Sequence, residues 1–227
     1  MPDRKVMRVG QIPLSDNYRQ AVGPEDKYDL IGAHQFCVLV REGLREWHKL
    51  LDIGCGSLRG GRLFIPYLQW NGYYGTDPNT DLIDEALRNE IGYDITDIKE
   101  PSFVEDSEFR LLDVAANFWF MDDPAFDFIL AQSIFSHSTQ AQTATCIAEV
   151  AKVLKPTGKF LATFVKGSYN DSNSTWSRPI VYRTSAFFAD LAKEHNLVYT
   201  ELSDIKHPCG QTWFRMEREG EIEREGE

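Results

Sequence analysis

Apolar residues between positions 50 and 196 fall into short runs that alternate with longer segments in which they recur at helical spacing. Short apolar runs bounded by turn residues are typical of buried parallel strands, and the amphipathic segments indicate helices packed on a sheet. The alternation predicts an α/β fold, with a mostly parallel sheet and helices on both faces. The predicted strands are residues 50–53, 73–76, 109–112, 126–131, 159–165, 197–202 and 212–216. The predicted helices are residues 30–47, 59–69, 80–89, 139–154 and 185–195.

The two ends of the chain and one internal loop stand apart from this alternation. Residues 1–47 are predicted to form an N-terminal extension and a capping helix, and residues 48–217 the main domain. Residues 167–183 are rich in Ser, Asn, Asp and Thr, and a long polar loop after a core strand is typical of a substrate loop. Residues 218–227 are mostly charged, which predicts a disordered acidic tail.

Charge and cysteine content argue against several classes of partner. The net charge of −11 argues against nucleic acid or an anionic membrane surface as the partner. The four cysteines are scattered and lack the CxxC spacing of metal sites, so we expect no metal and a reducing compartment. No run approaches membrane-spanning length, and the N-terminus lacks the apolar core of a signal peptide. The sequence therefore predicts a soluble, cytoplasmic protein.

The stretch KLLDIGCGSLRGGR, residues 49–62, joins a short apolar strand to a helix through a glycine turn. Gly54 and Gly56 have no Cβ, so the main chain there can adopt positive φ or approach a ligand closely. Asp52 stands at the carboxyl end of the strand, where open α/β sheets bind their ligands. This arrangement predicts a site at which main-chain N–H groups and a helix N-terminus face a ligand.

Asp77 follows the second predicted strand, 25 residues after Asp52. In a nucleotide-binding βαβ unit, an acidic residue at this place accepts hydrogen bonds from the ribose hydroxyls. The alternative is that Asp77 only caps the helix that follows. We favour the ribose role.

These motifs, taken in order, resemble the class I, Rossmann-like S-adenosylmethionine (SAM) methyltransferases. LDIGCG resembles the family's first motif, FDFILA its fourth strand, and LKPTGKFLATF the turn before its fifth strand. A terminal antiparallel hairpin, which the polar turn at 204–211 predicts, is also typical of the family. The resemblance implies a single Rossmann-like domain with a seven-stranded sheet and SAM as the cofactor. It further implies that Asp113 accepts a hydrogen bond from the adenine amino group, that Val114 packs on the ring, and that Gln132 lies beside the methionine portion.

The glycine motif departs from the family pattern at its third position, which is Leu58. Arg59, which follows, could reach the cofactor carboxylate or an anionic substrate. The alternative is a solvated arginine at the start of a helix.

The expected reaction is an in-line displacement at a methyl group, which depends on orientation of the reactants. The expected acceptor is a small molecule, and the expected acceptor atom is oxygen. A hydroxyl acceptor also needs proton removal, whereas a carboxylate acceptor does not. His137, which follows the fourth strand and can titrate near neutrality, is the candidate base. Its alternative role is structural, at the start of a helix.

Two other functions stay open. One is an NAD(P)-dependent oxidoreductase, because Gly54, Gly56 and Gly60 give GxGxxxG, one residue longer than the dinucleotide-binding pattern. The other is a SAM-binding scaffold without activity. The missing catalytic domain and the terminal hairpin argue against the oxidoreductase.

Overall fold

The fold is described from a computed structural model, which covers residues 17–117, 125–172 and 180–219. Its strands are β1 (Leu50–Ile53), β2 (Tyr73–Thr76), β3 (Ser102–Val104), β4 (Phe126–Ala131), β5 (Leu154–Lys166), β6 (Tyr182–Arg183), β7 (Leu197–Glu201) and β8 (Thr212–Arg218). Its helices are α1 (Asn17–Gln20), α2 (Tyr28–Arg41), α3 (Gly61–Tyr67), α4 (Thr80–Ala86), α5 (Tyr93–Lys99), α6 (Leu111–Ala116), α7 (Gln140–Val153) and α8 (Ser185–Glu194). A 3₁₀ turn (Glu25–Lys27) precedes α2, and a π turn (Leu87–Ile91) continues α4.

The sheet has the order β3-β2-β1-β4-β5-β8-β7. The first five strands of this order are parallel, and β8 and β7 add an antiparallel hairpin beyond β5. The short strand β6 pairs with the end of β5. This arrangement confirms the predicted Rossmann-like fold class. Because β2 and β4 flank β1 on opposite sides, the direction of winding reverses there, and ligands bind at such a reversal outside the carboxyl ends of the strands.

Two apolar clusters cover the two faces of the sheet. Ile129 and Phe160 point into one cluster, together with residues of α7 and α8. Leu130 and Leu161, the next residues along the same strands, point into the other, together with residues of α2 and α3. Successive side chains of a strand alternate between faces, so the continuous apolar runs of β4 and β5 reflect burial on both sides.

Threonine side chains cap the starts of two helices. Thr139 caps α7 through a capping box, in which its side chain accepts from the N–H of Gln142 at 3.0 Å and the Gln142 side chain accepts from the N–H of Thr139 at 3.0 Å. Thr184 caps α8 and accepts from the N–H of Phe187 at 3.2 Å. These caps leave His137 in the turn between β4 and α7.

The prediction of the third strand at residues 109–112 is wrong. The strand is β3, and Tyr74 of β2 pairs with Ser102. Phe109 has a φ of +57°, which breaks an extended run, and α6 begins at Leu111. The polar segment before it, residues 92–108, holds both α5 and β3. Every residue of β3 is only half-buried at the edge of the sheet, so the strand gives little hydrophobic signal.

Other boundaries also differ from the prediction. Helix α2 ends at Arg41 rather than at residue 47, and Gly43 follows it with a φ of +108°. Strand β8 continues to Arg218, the first residue of the predicted acidic tail. Residues 173–179 of the predicted substrate loop, with Trp176, and residues 220–227 of the tail lie outside the described residues. None of the described helices is long and apolar enough to cross a membrane.

Candidate active site

The loop after β1 takes an unusual main-chain path. Gly54 has a φ of +67° and Gly56 a φ of +54°, so both lie in the left-handed region that glycine adopts without penalty. The side chains of Ile134 and Val22 pack against the loop so closely that a Cβ on Gly54 or on Gly56 would overlap them. Both glycines are therefore required by the main-chain conformation, while the atoms that a Cβ would overlap are side-chain ends.

Leu58 keeps the conformation expected of a third glycine. Its φ is +55°, although it carries a side chain, and the left-handed region costs an L-residue about 1–2 kcal/mol. The side chain is fully buried in the cluster that contains α2 and α3. Burial of a leucine contributes about 1.5–3 kcal/mol, which offsets the strain. The departure from the family pattern thus leaves the loop geometry intact.

Asp77 joins the end of β2 to this loop. Its Oδ2 accepts a hydrogen bond from the N–H of Gly56 at 2.9 Å, and its Oδ1 accepts from the N–H of Asn79 at 2.8 Å. Burial raises the pKa of Asp77, while these two hydrogen bonds act in the opposite direction. Asn79, rather than Asp77, is the N-cap residue of α4. The carboxylate therefore lies where the carboxyl ends of β1 and β2 meet.

Asp52 lies in β1, two residues before Gly54, and only 5 % of its surface is exposed. Its Oδ2 accepts a hydrogen bond from the hydroxyl of Tyr73 at 2.7 Å. Burial raises the pKa of Asp52 to about 7, although this hydrogen bond and the Arg59 charge oppose the shift.

Arg59 points inward, and 7 % of its surface is exposed, so the solvated alternative is wrong. One terminal nitrogen donates to the carbonyl of Val22 at 2.6 Å, and the other donates to Oε1 of Gln132. Its Nε is buried and has no hydrogen-bond partner among the described residues. Burial lowers the pKa of Arg59, with a partly opposing effect of Asp52. A buried cation whose direct partners are uncharged is suited to bind an anion.

Gln132, at the end of β4, connects Arg59 to two other elements. Gln35 of α2 donates from Nε2 to its Oε1. On the other side, Nε2 of Gln132 donates to Oγ of Ser133 at 2.6 Å and lies 3.2 Å from Nε2 of His207. The site thus takes side chains from β4, from α2 and from the loop between β7 and β8.

The segment before β1 covers the glycine loop. The hydroxyl of Tyr28 donates to the carbonyl of Ser57 at 2.6 Å. One turn further along α2, Gly32 is so close to the loop that a Cβ there would overlap the main-chain oxygen of Arg59. Arg19 pairs with Glu90 at 2.5 Å and anchors the segment to the π turn after α4. These contacts place α2 and the segment before it against the glycine loop.

Asp113 and Val114 do not lie at the end of a strand. Asp113 is exposed in the first turn of α6, and Val114 is buried in the core. Two acids follow β3: Glu105, which is exposed, and Asp106, of which 9 % is exposed and whose Oδ1 accepts from the N–H of Glu108 at 3.1 Å. The prediction that Asp113 ends the third strand is wrong because that strand was misplaced.

The side chain of His137 is half-buried, and the main-chain N–H of this residue donates to the carbonyl of Ile134 at 3.1 Å. Gln211, by contrast, had no sequence signal. It donates from Nε2 to Oγ of Ser133 at 2.8 Å.

The site has the parts that a nucleoside-containing cofactor requires. The glycine loop takes left-handed main-chain conformations at Gly54 and Gly56, the Asp77 carboxylate lies against the loop, and the buried Arg59 has an unpartnered N–H. Residues 51–160 match the family model described as "Methyltransferase domain".

This part of the chain is a methyltransferase domain. Enzymes of the family use SAM as the methyl donor, so the cofactor inferred from the sequence is confirmed at the level of the family.

Solved structures of low sequence identity share the fold of the methyltransferase. Magnesium protoporphyrin IX methyltransferase from Synechocystis PCC 6803 with bound SAH has a TM-score of 0.59 at 12% identity, covering 90% of this chain and 94% of that chain. A TehB-like SAM-dependent methyltransferase from Corynebacterium glutamicum has a TM-score of 0.57 at 18% identity, covering 88% and 92%. An O-methyltransferase family protein from Burkholderia thailandensis has a TM-score of 0.57 at 16% identity, covering 86% of this chain and 59% of that chain.

Proposed function

We propose that this methyltransferase transfers the methyl group of SAM to oxygen of a small-molecule acceptor. The neighbouring O-methyltransferase family protein and the acidic net charge of −11 support this choice of acceptor. The contact between Gly56 and Asp77 at 2.9 Å carries the proposal, because it places an acid and a glycine loop together at the reversal of the sheet.

The cofactor roles follow from the positions of the side chains. Asp77 accepts hydrogen bonds from the ribose hydroxyls, and the main chain at Gly54 and Gly56 contacts the amino-acid portion. Asp52 supports the loop from below through its buried carboxyl group. Arg59 binds the cofactor carboxylate through its unpartnered Nε–H. Gln132 holds the Arg59 side chain in place and lies beside the methionine portion.

Asp106 replaces Asp113 in the proposed adenine contact, because Asp106 follows the edge strand next to β2. Asp113 is exposed in the first turn of α6 and does not directly follow a strand of the sheet. Val114 serves the core rather than the ring of the ligand.

The chemistry needs alignment more than it needs acid–base groups. When bound, SAM supplies a methyl group on a positively charged sulfur. The protein's part is to hold the acceptor oxygen in line with that group, which removes orientational freedom from the barrier. The covering segment around Tyr28 and Gly32 excludes water from the glycine loop.

Calorimetric titration with SAM, S-adenosylhomocysteine (SAH), NAD and NADP tests the class of the activity. We expect the two adenosyl compounds to bind with micromolar Kd and the two dinucleotides to show no heat of binding. Binding of NAD or NADP alone would assign the site to an oxidoreductase. Binding of SAH without methyl transfer to any acceptor in a screen would leave the scaffold function.

His137 is the proposed base for a hydroxyl acceptor. His137→Ala is then expected to lower kcat/KM by about 100-fold at pH 7 with such an acceptor, because general bases contribute about 10²–10⁴-fold. The measurement is the pH dependence of methyl transfer, with His195→Ala at the end of α8 as the matched control. An unchanged rate in His137→Ala between pH 6 and 8 would exclude this role.

A further inference from the structure

His207 brings a buried imidazole to the site from the loop between β7 and β8. Only 7 % of its surface is exposed. Its Nδ1 accepts a hydrogen bond from the N–H of Cys209 at 3.0 Å, so Nδ1 carries no proton. A neutral imidazole has one protonated nitrogen. The proton of His207 is therefore on Nε2, which faces Gln132.

The orientation of the Gln132 amide is fixed by Arg59. A guanidinium can only donate, so the atom of Gln132 that faces Arg59 must be the oxygen. The NH₂ group of Gln132 then points the other way, towards Ser133 and His207. Two N–H donors consequently face each other across 3.2 Å in a buried place.

The surroundings of this donor pair are positive. The groups that shift the pKa of His207 by their charge are His34, Arg59 and Lys27, and none of them is acidic. Together with burial, the largest cause, they lower this pKa to about 4, so the ring is neutral at pH 7. One N–H of Gln132 already donates to Ser133, so the Nε2–H of His207 is the donor that faces no acceptor among the described residues, and such a buried donor costs about 1–3 kcal/mol. An anionic oxygen that accepts hydrogen bonds from both nitrogens would remove that cost.

A cavity of about 270 Å³ adjoins this place. His207 and Gln211, which both contact the residues at the end of β4, also line the cavity, and the rest of its wall consists of Glu201, Leu202, Ser203, Ile205, Lys206, Gly210 and Thr212. The cavity lies beside β8, whereas Asp77 lies on the opposite side of β1 at the end of β2. Its position and its mixed lining suit a small molecule distinct from the nucleoside.

We propose that the Gln132 and His207 donors bind a carboxylate group of the methyl acceptor, whose body occupies the cavity between β7 and β8. This inference rests on the proposed function and names the substrate class as small carboxylic acids. The carboxylate accepts from Nε2–H of His207 and from the NH₂ group of Gln132, and Arg59 and Lys27 supply the favourable charge.

The test uses the full-length protein saturated with SAH. Butyrate and benzoate are titrated as carboxylate probes, with butyramide and benzamide as neutral probes of the same shape. We expect millimolar Kd for the acids and at least tenfold weaker binding of the amides. His207→Phe, which keeps a ring but removes the donor, should weaken the acids at least tenfold and leave the Kd of SAH within twofold. The control His195→Phe should change neither.

Three results would overturn the inference. The first is equal binding of acids and amides, or binding of neither. The second is a loss of SAH affinity of tenfold or more in His207→Phe, which would assign the donors to the carboxylate of the cofactor. The third is failure of SAH itself to bind, which would overturn the proposed function as well and is visible before any acid is added.

A measurement on the unaltered protein covers the case in which His207→Phe does not fold. The imidazole ¹⁵N signals of His207 report the tautomer and the hydrogen bond at Nε2 directly. Addition of benzoate, but not benzamide, should shift the Nε2 signal and raise the pKa of the ring. Identical spectra with the two probes would overturn the inference.

Discussion

Asp77→Ala is expected to weaken SAH binding by about 100-fold, because two hydrogen bonds from the ribose to a charged group are lost at about 1.5 kcal/mol each and 1.4 kcal/mol is a factor of ten. The substitution also removes the acceptor for the N–H of Gly56, which lies 2.9 Å from Oδ2, so the loop loses an anchor. Asp77→Asn keeps one oxygen and the shape of the side chain, and we expect about a tenfold loss from the missing charge. Isothermal titration calorimetry at fixed pH and ionic strength measures both variants.

Asp81→Ala is the matched control for this experiment. Asp81 is an exposed acid in the first turn of α4, and its removal changes the net charge by the same amount. Its SAH affinity should stay within twofold of the parent value. The ribose assignment would be wrong if Asp77→Ala bound SAH within threefold of the parent while its melting temperature was unchanged.

Gly32→Ala is expected to lower the free energy of unfolding by about 2 kcal/mol, which is within the range for inserting an extra methyl group into a well-packed core. The added methyl group would overlap the main-chain oxygen of Arg59, which has no rotamer by which to move away. The helix α2 must then shift, and it carries Gln35 and Tyr28, which contact the end of β4 and the glycine loop. For a chain of this size we expect the melting temperature to fall by about 4–8 °C.

The sign of this effect separates packing from helix propensity. At an exposed helical position, replacing glycine by alanine would stabilise the protein by about 1 kcal/mol. Ala33→Ser, at the exposed neighbouring position, is the control and should change the stability by less than about 0.5 kcal/mol. A melting temperature of Gly32→Ala equal to or above that of the parent would show that α2 is not seated on the loop.

The central strands and the glycine turn were predictable from the sequence because their signals are local. The apolar runs of β1, β2 and β4 are bounded by turn residues, and burial on both faces makes them continuous. Gly54, Gly56 and Asp77 stand at strand ends, so their meeting follows from parallel pairing of β1 with β2. The capping threonines of α7 and α8 are likewise recognised from a few adjacent residues.

The edge strand β3 was not predictable in the same way. It has three half-buried residues, whereas residues 109–112 contain more apolar surface and mimic a strand. Hydrophobic pattern measures burial, and an edge strand is held mainly by main-chain hydrogen bonds to one neighbour. The placement of Asp113 at the end of a strand failed for this reason.

By itself the sequence determined the fold class, the glycine loop and the acid at the end of β2, since each depends on residues that are close along the chain. Only the tertiary structure decided that Arg59 points inward, because Val22, Gln132 and the packing of Gly32 confine it from distant segments. The same holds for the contact between Gln132 and His207, which are 75 residues apart. Such contacts depend on how helices and hairpins dock on the finished sheet, and no local periodicity encodes that docking.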